Sequence, residues 1–256
     1  DLFTFGFKER PWHKRTYGRT GQILGYYDVD HFDAGNWKPG YPNPAFEKAT
    51  EHDSAWMARI IAHFSDEDIH TLVDQGKIQN ETVDKELRRV LIGRRDKILF
   101  RWFKTLSPLT GPKVSRNMIC FKDLAIHSNI VDPSTRAYDA FLWEEKGERP
   151  KSLKVQNNKG AQICAEIDFD QLRKNYYALE VVATNLHYES DGSEIKPNRP
   201  PLKLHFYRQE NNQIKIVALE RESKVNDKLP LEDYTNPLKT RYYYNDDSPD
   251  MSIETE

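Results

Sequence analysis

Apolar positions recur at helical spacing in three successive stretches of the chain. Between Thr50 and Phe64, Ala55, Trp56, Arg59, Ile60, His63 and Phe64 fall on a 3.6-residue period. Thr50 is placed as N-cap, and Glu51 and Asp53 in the first turn suit the helix dipole. Ser65 opens a second helix, SDEDIHTLVDQG, with Asp66, Glu67 and Asp68 in its first turn. Ile69, Leu72 and Val73 give it an apolar face, and Gly76 is a suitable stop. The third pattern is the clearest. From Glu81 to Leu106, the residues Val83, Leu87, Val90, Leu91, Ile98, Leu99, Trp102, Phe103 and Leu106 form one stripe opposite a charged face. A break is expected at Gly93 and Arg94, and Pro108 and Pro112 end the helix.

Beyond Pro112 the period changes. MICF, YDAFLWEE, AQICAEIDF, YALEVVATNLHY, LKLHFYRQ and IKIVALERE are short runs rich in β-branched and aromatic residues, separated by polar breaks, and they predict strands. ENNQ at Glu210–Gln213 predicts the turn of a hairpin between the last two. Strands without intervening helices point to an antiparallel sheet or sandwich. The fold class is therefore α+β: an irregular N-terminal arm on a small helical bundle, then an antiparallel β-domain. The expected divisions are 1–112 for arm and bundle, 113–222 for the β-domain, and 223–256 for a polar, extended tail.

The arm is the puzzling part. NWKPGYPNPAF spends Trp37, Tyr41 and Phe46 where Pro39, Pro42 and Pro44 forbid regular structure. Prolines pre-set φ and lower the ordering entropy, and each anchored aromatic contributes ~1.5–3 kcal/mol on burial. The expectation is a clamp over the helical core, with Trp37, Tyr41, Phe46, Trp56, Trp102 and Phe103 largely buried. Gripping a ligand is the alternative. Upstream, Leu2, Phe3, Phe5, Phe7 and Trp12 precede any element able to bury them all, which predicts a partner polypeptide docked through the arm. Folding back on the chain's own helices is the alternative there.

Composition narrows the function class. Thirty-eight basic residues against forty acidic ones argue against a general nucleic-acid binder. Twelve Phe, thirteen Tyr and five Trp supply core material despite the high charge, so the chain is globular. No apolar run approaches the ~20 residues needed to span a bilayer, and no signal-peptide pattern is present. The chain opens on Asp1, which suggests a processed protein or a piece of one. Cys120 and Cys164 read as buried thiols, with pairing as the alternative.

Candidate chemistry is sparse. GRTGQILG lacks the lysine and the spacing of a phosphate loop and reads as a turn. Asp28, Asp30, His31 and Asp33 place oxygen ligands within six residues, a candidate site for a hard cation, although the offsets of an EF-hand are missing. His63 and His70 would stand about 10 Å apart along a helix, too far to share one zinc at ~2 Å. No nucleophile elbow or cysteine motif is found, so no catalytic or cofactor-binding residue is assigned. Arg94, Arg95, Asp96 and Lys97 put four charges in one helical turn, and one or two should lie at a packing boundary. There an Arg can clasp a carboxylate or the C-terminal end of another element.

The segments LFTFGFKERPW, FDAGNWKPGYPNPAFEKATEHDSAWMARIIAHFSDEDI and VLIGRRDKILFRWF, in this order, resemble the C-terminal portion of a family of large bacterial proteins of myxobacterial and acidobacterial type. LKLHFYRQENNQIKIVALERE is similar to that family's closing pair of strands. The likeness covers about residues 1–106 well and 176–221 loosely. It implies an exported protein whose upstream region looks like an atypical kinase. The kinase motifs are not in this sequence, so no catalytic role carries over. The resemblance thus implies a non-catalytic structural or interaction module without cofactor. A metal-dependent hydrolase at Asp28–Asp33 and a ligand- or glycan-binding β-domain, for instance through the tyrosines of RYYYNDD, are the alternatives.

Overall fold

The structure, a computed structural model, describes residues 21–25, 27–37, 39, 41, 43–145, 149–157, 160–173, 175–185, 187–188, 194–195, 201–209 and 213–221. Its fold class is α+β, with several helices and antiparallel sheets. The expected tail and the Leu2–Trp12 arm fall outside the described residues.

Two short helices, α1 (Gly21–Leu24) and α2 (Pro44–Glu47), precede the three long ones. Helix α3 (Glu51–Ile61) starts at a capping box in which Thr50 Oγ1 accepts from Asp53 N and the Asp53 carboxylate accepts from Thr50 N. Helix α4 (Asp66–Gln75) repeats the device with Ser65 and Asp68 and stops at Gly76. These hydrogen bonds from their caps hold both carboxyls below the usual carboxylate range. Helix α5 (Glu81–Thr105) runs unbroken through Gly93 and Arg94, contrary to the expected break. The glycine is there for space rather than for a turn: a Cβ on it would stand 2.5 Å from Val29 Cγ2.

Strand β1 (Leu109–Ser115) begins just after α5, inside the stretch expected to close the helical part. Gly111 and Pro112 interrupt the strand pattern and hide it from sequence, and its register slips between Thr110 and Lys113. Strand β2 (Met118–Asp123) is followed by helix α6 (Leu124–His127). Strands β3 (Arg136–Glu144), β4 (Lys151–Leu153), β5 (Val155–Asn157), β6 (Gln162–Glu166) and β7 (Tyr176–Asn185) come next. The small pair β8 (His187–Tyr188) and β9 (Glu194–Ile195) precedes β10 (Leu202–Arg208) and β11 (Ile214–Arg221), which pair antiparallel.

The strands form two main sheets, β1-β2-β6-β5 and β11-β10-β7-β3-β4. Leu109, Ile119, Phe121 and Ile163 from the first pack with Leu142, Tyr177, Leu179, Leu204 and Phe206 from the second in one buried cluster. That makes the β-domain a sandwich. A buried polar joint ties the sheets together. Asp123, at the end of β2, accepts from Ala125 N at 2.8 Å, Arg136 Nε at 2.9 Å and the Tyr138 hydroxyl at 2.8 Å. Burial, then the Asp123 charge, pushes the Tyr138 phenol up, so it stays a donor.

Helices and sandwich share a second core. Ala58 and Ala62 of the α3 region, Leu99, Phe100 and Phe103 of α5, and Leu124, Ala125 and Ile130 around α6 are buried together. Arg221 of β11 adds a polar tie, donating to the carbonyls of Ser107 and Leu109. Burial and the neighbouring Arg59 lower its pKa to about 10.

Cys120 and Cys164 are direct partners in the β2–β6 register, and they form a disulfide. The expectation of two thiols is corrected. The strand pairing, invisible in the sequence, brings the two Cα atoms to 3.9 Å. The bridge closes 44 residues of chain, for which loop entropy sets a stabilisation of about 4 kcal/mol. The Cys120→Ala/Cys164→Ala variant should therefore lose about 2–4 kcal/mol in denaturant unfolding. The parent protein should show no titratable thiol until it is reduced.

Candidate functional site

The middle of α5 carries the densest polar chemistry. Arg95 is buried. Its Nη1 donates to the Phe64 carbonyl at 3.0 Å, and its Nη2 donates to Asp66 at 2.5 Å and to Asp96 at 2.7 Å. It thus holds the corner where α3 ends and α4 begins, while Asp96 is fully buried beside it. Arg94 donates through Nε to the Asp28 carbonyl at 2.6 Å and stacks on Tyr27 at 3.8 Å and Phe32 at 4.7 Å. Lys97 has a role that the sequence pattern does not disclose. Its ammonium donates to three carbonyls of one loop: Val29, Asp30 at 3.1 Å and Phe32 at 3.1 Å. All four charges of this helical turn are engaged within the fold.

That geometry recasts the expected metal ligands. The converging oxygens of the Asp28–Asp33 loop belong to its backbone, and the cation they surround is the Lys97 ammonium. The carboxylates go elsewhere. Asp28 accepts from His31 N at 3.0 Å, and Asp30 lies 3.4 Å from Arg89 Nη2. Asp33 accepts from the amides of Gly35 and Asn36 and from the Asn36 side chain. Among the described residues, no group of three or more His, Cys, Asp and Glu side chains is placed to hold a metal ion. As placed, Asp28, Asp30, His31 and Asp33 do not converge as a set of metal ligands.

The clamp reading is corrected as well. Trp37 is 51% exposed, Tyr41 87%, Phe46 55% and Trp56 57%. Of the six aromatics expected inside, Phe103 is buried and Trp102 half-buried. Trp37 and Phe46 touch each other edge to face at 5.4 Å, in the open. Pre-set proline angles shorten the search of an arm but give its aromatics no apolar surface. The part of the arm that does dock uses backbone carbonyls and Val29 instead.

Helix α3 has an inverted face. Its small residues Ala55 and Ala58, with Ala62 at its C-cap, turn inward and are buried. Its large residues Trp56, Met57 and Ile60, with Phe64 beyond its end, are exposed. Trp56 and Ile60 stand four apart on α3, so they share one side, and Phe64 follows just past its end. Exposed Leu72 of α4 joins them, and a cleft of about 330 Å³ opens between His63, Phe64, Asp68, Thr71 and Leu72. Helical periodicity finds such a stripe, but it cannot tell which side faces the core. Here the closest approach of α3 to α5 selects the alanines.

A second group missed in the sequence lies on the five-stranded sheet. The Tyr176 hydroxyl is hydrogen-bonded to His205 Nδ1, and His205 Nε2 stands 3.2 Å from Glu220 Oε2. With Nε2–H donating to Glu220, Nδ1 accepts from the phenol. The signal was available in strand alternation, which puts Lys203, His205 and Tyr207 on the side opposite Leu202, Leu204 and Phe206.

Comparison with protein-family models, with curated proteins and with solved structures returns no match.

The docked loop yields a sharp stability test. Gly93→Ala drives a methyl into Val29 and should cost about 1–3 kcal/mol, the usual range for overpacking. Gly160→Ala meets nothing within 4 Å and should leave thermal unfolding unchanged. Equal midpoints for the two variants would mean that the Val29 loop does not sit on α5.

Proposed function

We propose that this chain is a non-catalytic interaction module that docks another polypeptide on the outer face of α3 and the start of α4. The observation that carries the reading is the inversion of α3, with alanines inside and Trp56, Met57, Ile60 and Phe64 outside. A helix serving only its own core would place those side chains inward, since each contributes ~1.5–3 kcal/mol when fully buried. Exposed apolar stripes of this kind mark interaction sites.

Charge indicates what the face takes. Residues 51–75 carry six acidic side chains and one basic one. Arg101, Arg95 and Arg88 of α5 engage Glu51, Asp66 and Asp74, and the exposed Asp53, Glu67 and Asp68 remain around the stripe. The partner segment is therefore amphipathic, apolar on one side and basic on the other, lying in the groove as a helix does. The arm of Phe3, Phe5, Phe7 and Trp12 adds a second docking element in this reading.

The likeness to the C-terminal part of exported, kinase-like bacterial proteins supports a module that works beside a larger partner in an oxidising compartment. The Cys120–Cys164 disulfide agrees with such a compartment, because disulfides persist there. No helix among the described residues is long and apolar enough to cross a membrane.

Two designed amphipathic peptides of equal apolar content, one with lysines on its polar side and one with glutamates, test the reading by calorimetry. The lysine peptide should bind and the glutamate peptide should not. Ile60→Asp with Phe64→Asp should weaken binding at least about tenfold, or 1.4 kcal/mol. Both positions are exposed, so the variant should keep the parent's unfolding curve. Equal binding of the two peptides, or binding indifferent to the variant, would remove this face from the proposal.

A further inference from the structure

The open side of the five-stranded sheet is built differently from the α3 face. Leu202, Leu204 and Phe206 of β10, Tyr177, Leu179 and Val181 of β7, and Ala140 and Leu142 of β3 point into the sandwich. Alternation then sends Lys203, His205 and Tyr207, Tyr176, Ala178 and Glu180, and Asp139, Phe141 and Trp143 to the other side. The register aligns Trp143 with Ala178, Ala178 with His205, and His205 with Ala218.

This row has a shape. Ala178 is a small residue between two large ones, on neighbouring strands ~4.8 Å away to each side. Trp143 and His205 are thus about 10 Å apart at their bases, with an alanine floor between them. Tyr176 and Glu180 stand two residues either side of that floor on the same strand. The result is a shallow trough with aromatic walls.

Each wall is fixed. The Trp143 indole N–H donates to Glu180 Oε2 at 3.1 Å. The His205 ring lies nearly parallel to Tyr176 with centroids 5.8 Å apart, holds the Tyr176 hydroxyl at Nδ1, and lies 3.2 Å from the Glu220 carboxylate. Tyr207, exposed, leans on Tyr176 at 5.2 Å and extends the aromatic surface beyond the trough. Held rings lose little freedom when something stacks on them.

We infer that this sheet face binds a neutral glycan chain, with sugar rings stacked on Trp143, Tyr176 and Tyr207 across the Ala178 floor. Aromatic faces carry partial negative charge and attract the electropositive C–H face of a pyranose ring. The polar groups around the trough suit hydroxyls: Glu180 and Glu220 accept, and Lys203 donates. Stacked nucleobases would use the same rings, but the charges oppose a phosphate backbone. Asp139, Glu180 and Glu220 share this face, and burial, then Tyr207, Glu220 and Glu145, raise the Tyr176 phenol. The cations set against them are Lys203, opposite Glu180 and Glu220, and Lys215, opposite Tyr207. A nucleic-acid platform needs the opposite balance. An open sheet also suits a chain running across it better than a single terminal sugar, which wants an enclosed pocket.

The site shares no residue with the α3 face and stands or falls separately. Its test is affinity electrophoresis of the full chain in native gels containing hydroxyethylcellulose, laminarin, xylan or galactomannan, with a single-stranded oligonucleotide and heparin as charged controls. At least one neutral polysaccharide should retard the protein. Tyr207→Ala should weaken that retardation about tenfold, the order of one lost stacking partner. Trp143→Ala should weaken it further, and an unchanged disulfide and far-ultraviolet dichroism certify the fold of each variant. If none of the four polysaccharides retards the chain, the proposal fails. It fails equally if both variants migrate like the parent, or if the oligonucleotide or heparin binds more tightly than every neutral polymer.

Discussion

A helix that carries Gly-Arg-Arg-Asp-Lys through the middle of a domain must find a partner for every charge, because leaving one buried alone costs several kcal/mol. That requirement organises the helical half of this protein. Arg95 meets it by closing on Asp96, Asp66 and the Phe64 carbonyl, which sets the angle between α3 and α4. Lys97 and Arg94 meet it by gathering the carbonyls of Asp28, Val29, Asp30 and Phe32, which draws an otherwise irregular loop onto the helix. Gly93 removes the Cβ that would hold that loop away. Removing Arg95 would take a donor from the fully buried Asp96 and from the Phe64 carbonyl at once.

The same logic recurs at the junction with the sandwich, where Asp123 satisfies an α6 amide, an arginine and a tyrosine at once. Helix α6 places Leu124 and Ala125 against Phe100 and Phe103, so the helical core and the β-domain meet over an apolar surface rather than across a linker. Buried contacts thus run across residue 112, where the sequence pattern changes. Leu109 illustrates this: it lies a few residues beyond α5 and is fully buried among the strands.

What could be read from the sequence was what is decided locally. Thr50 and Ser65 cap α3 and α4 because their own neighbours three residues on complete the bond, and no distant contact is needed. The strands β2, β3, β6, β7, β10 and β11 announce themselves by alternation and β-branched content. What depends on pairing stayed hidden. The Cys120–Cys164 bridge, the Trp143–Ala178–His205 row and the direction of the α3 stripe are all set by register or by helix approach, which periodicity does not encode. Gly93 misleads for the same reason: a break and a close contact look identical until Val29 is placed.

Aromatic residues divide into two populations in this chain. Phe121, Tyr177 and Phe206 are hidden in the core. Trp56, Trp37 and Tyr207 behave otherwise. Trp56 and Tyr207 sit outside the core on elements whose backbone is fixed by caps, sheet ladders and ion pairs. Rigid elements present side chains for recognition more accurately than loops do, and a held ring loses less entropy on contact. The two faces then differ in what they can select. The α3 stripe is aliphatic as well as aromatic and is edged by carboxylates, which favours a basic helix. The sheet row alternates aromatic rings with alanines and hydrogen-bonding groups, which favours flat, hydroxylated rings. One fold can hold both, because the buried pairs that fix α3 and the strand register that fixes the row do not share a side chain.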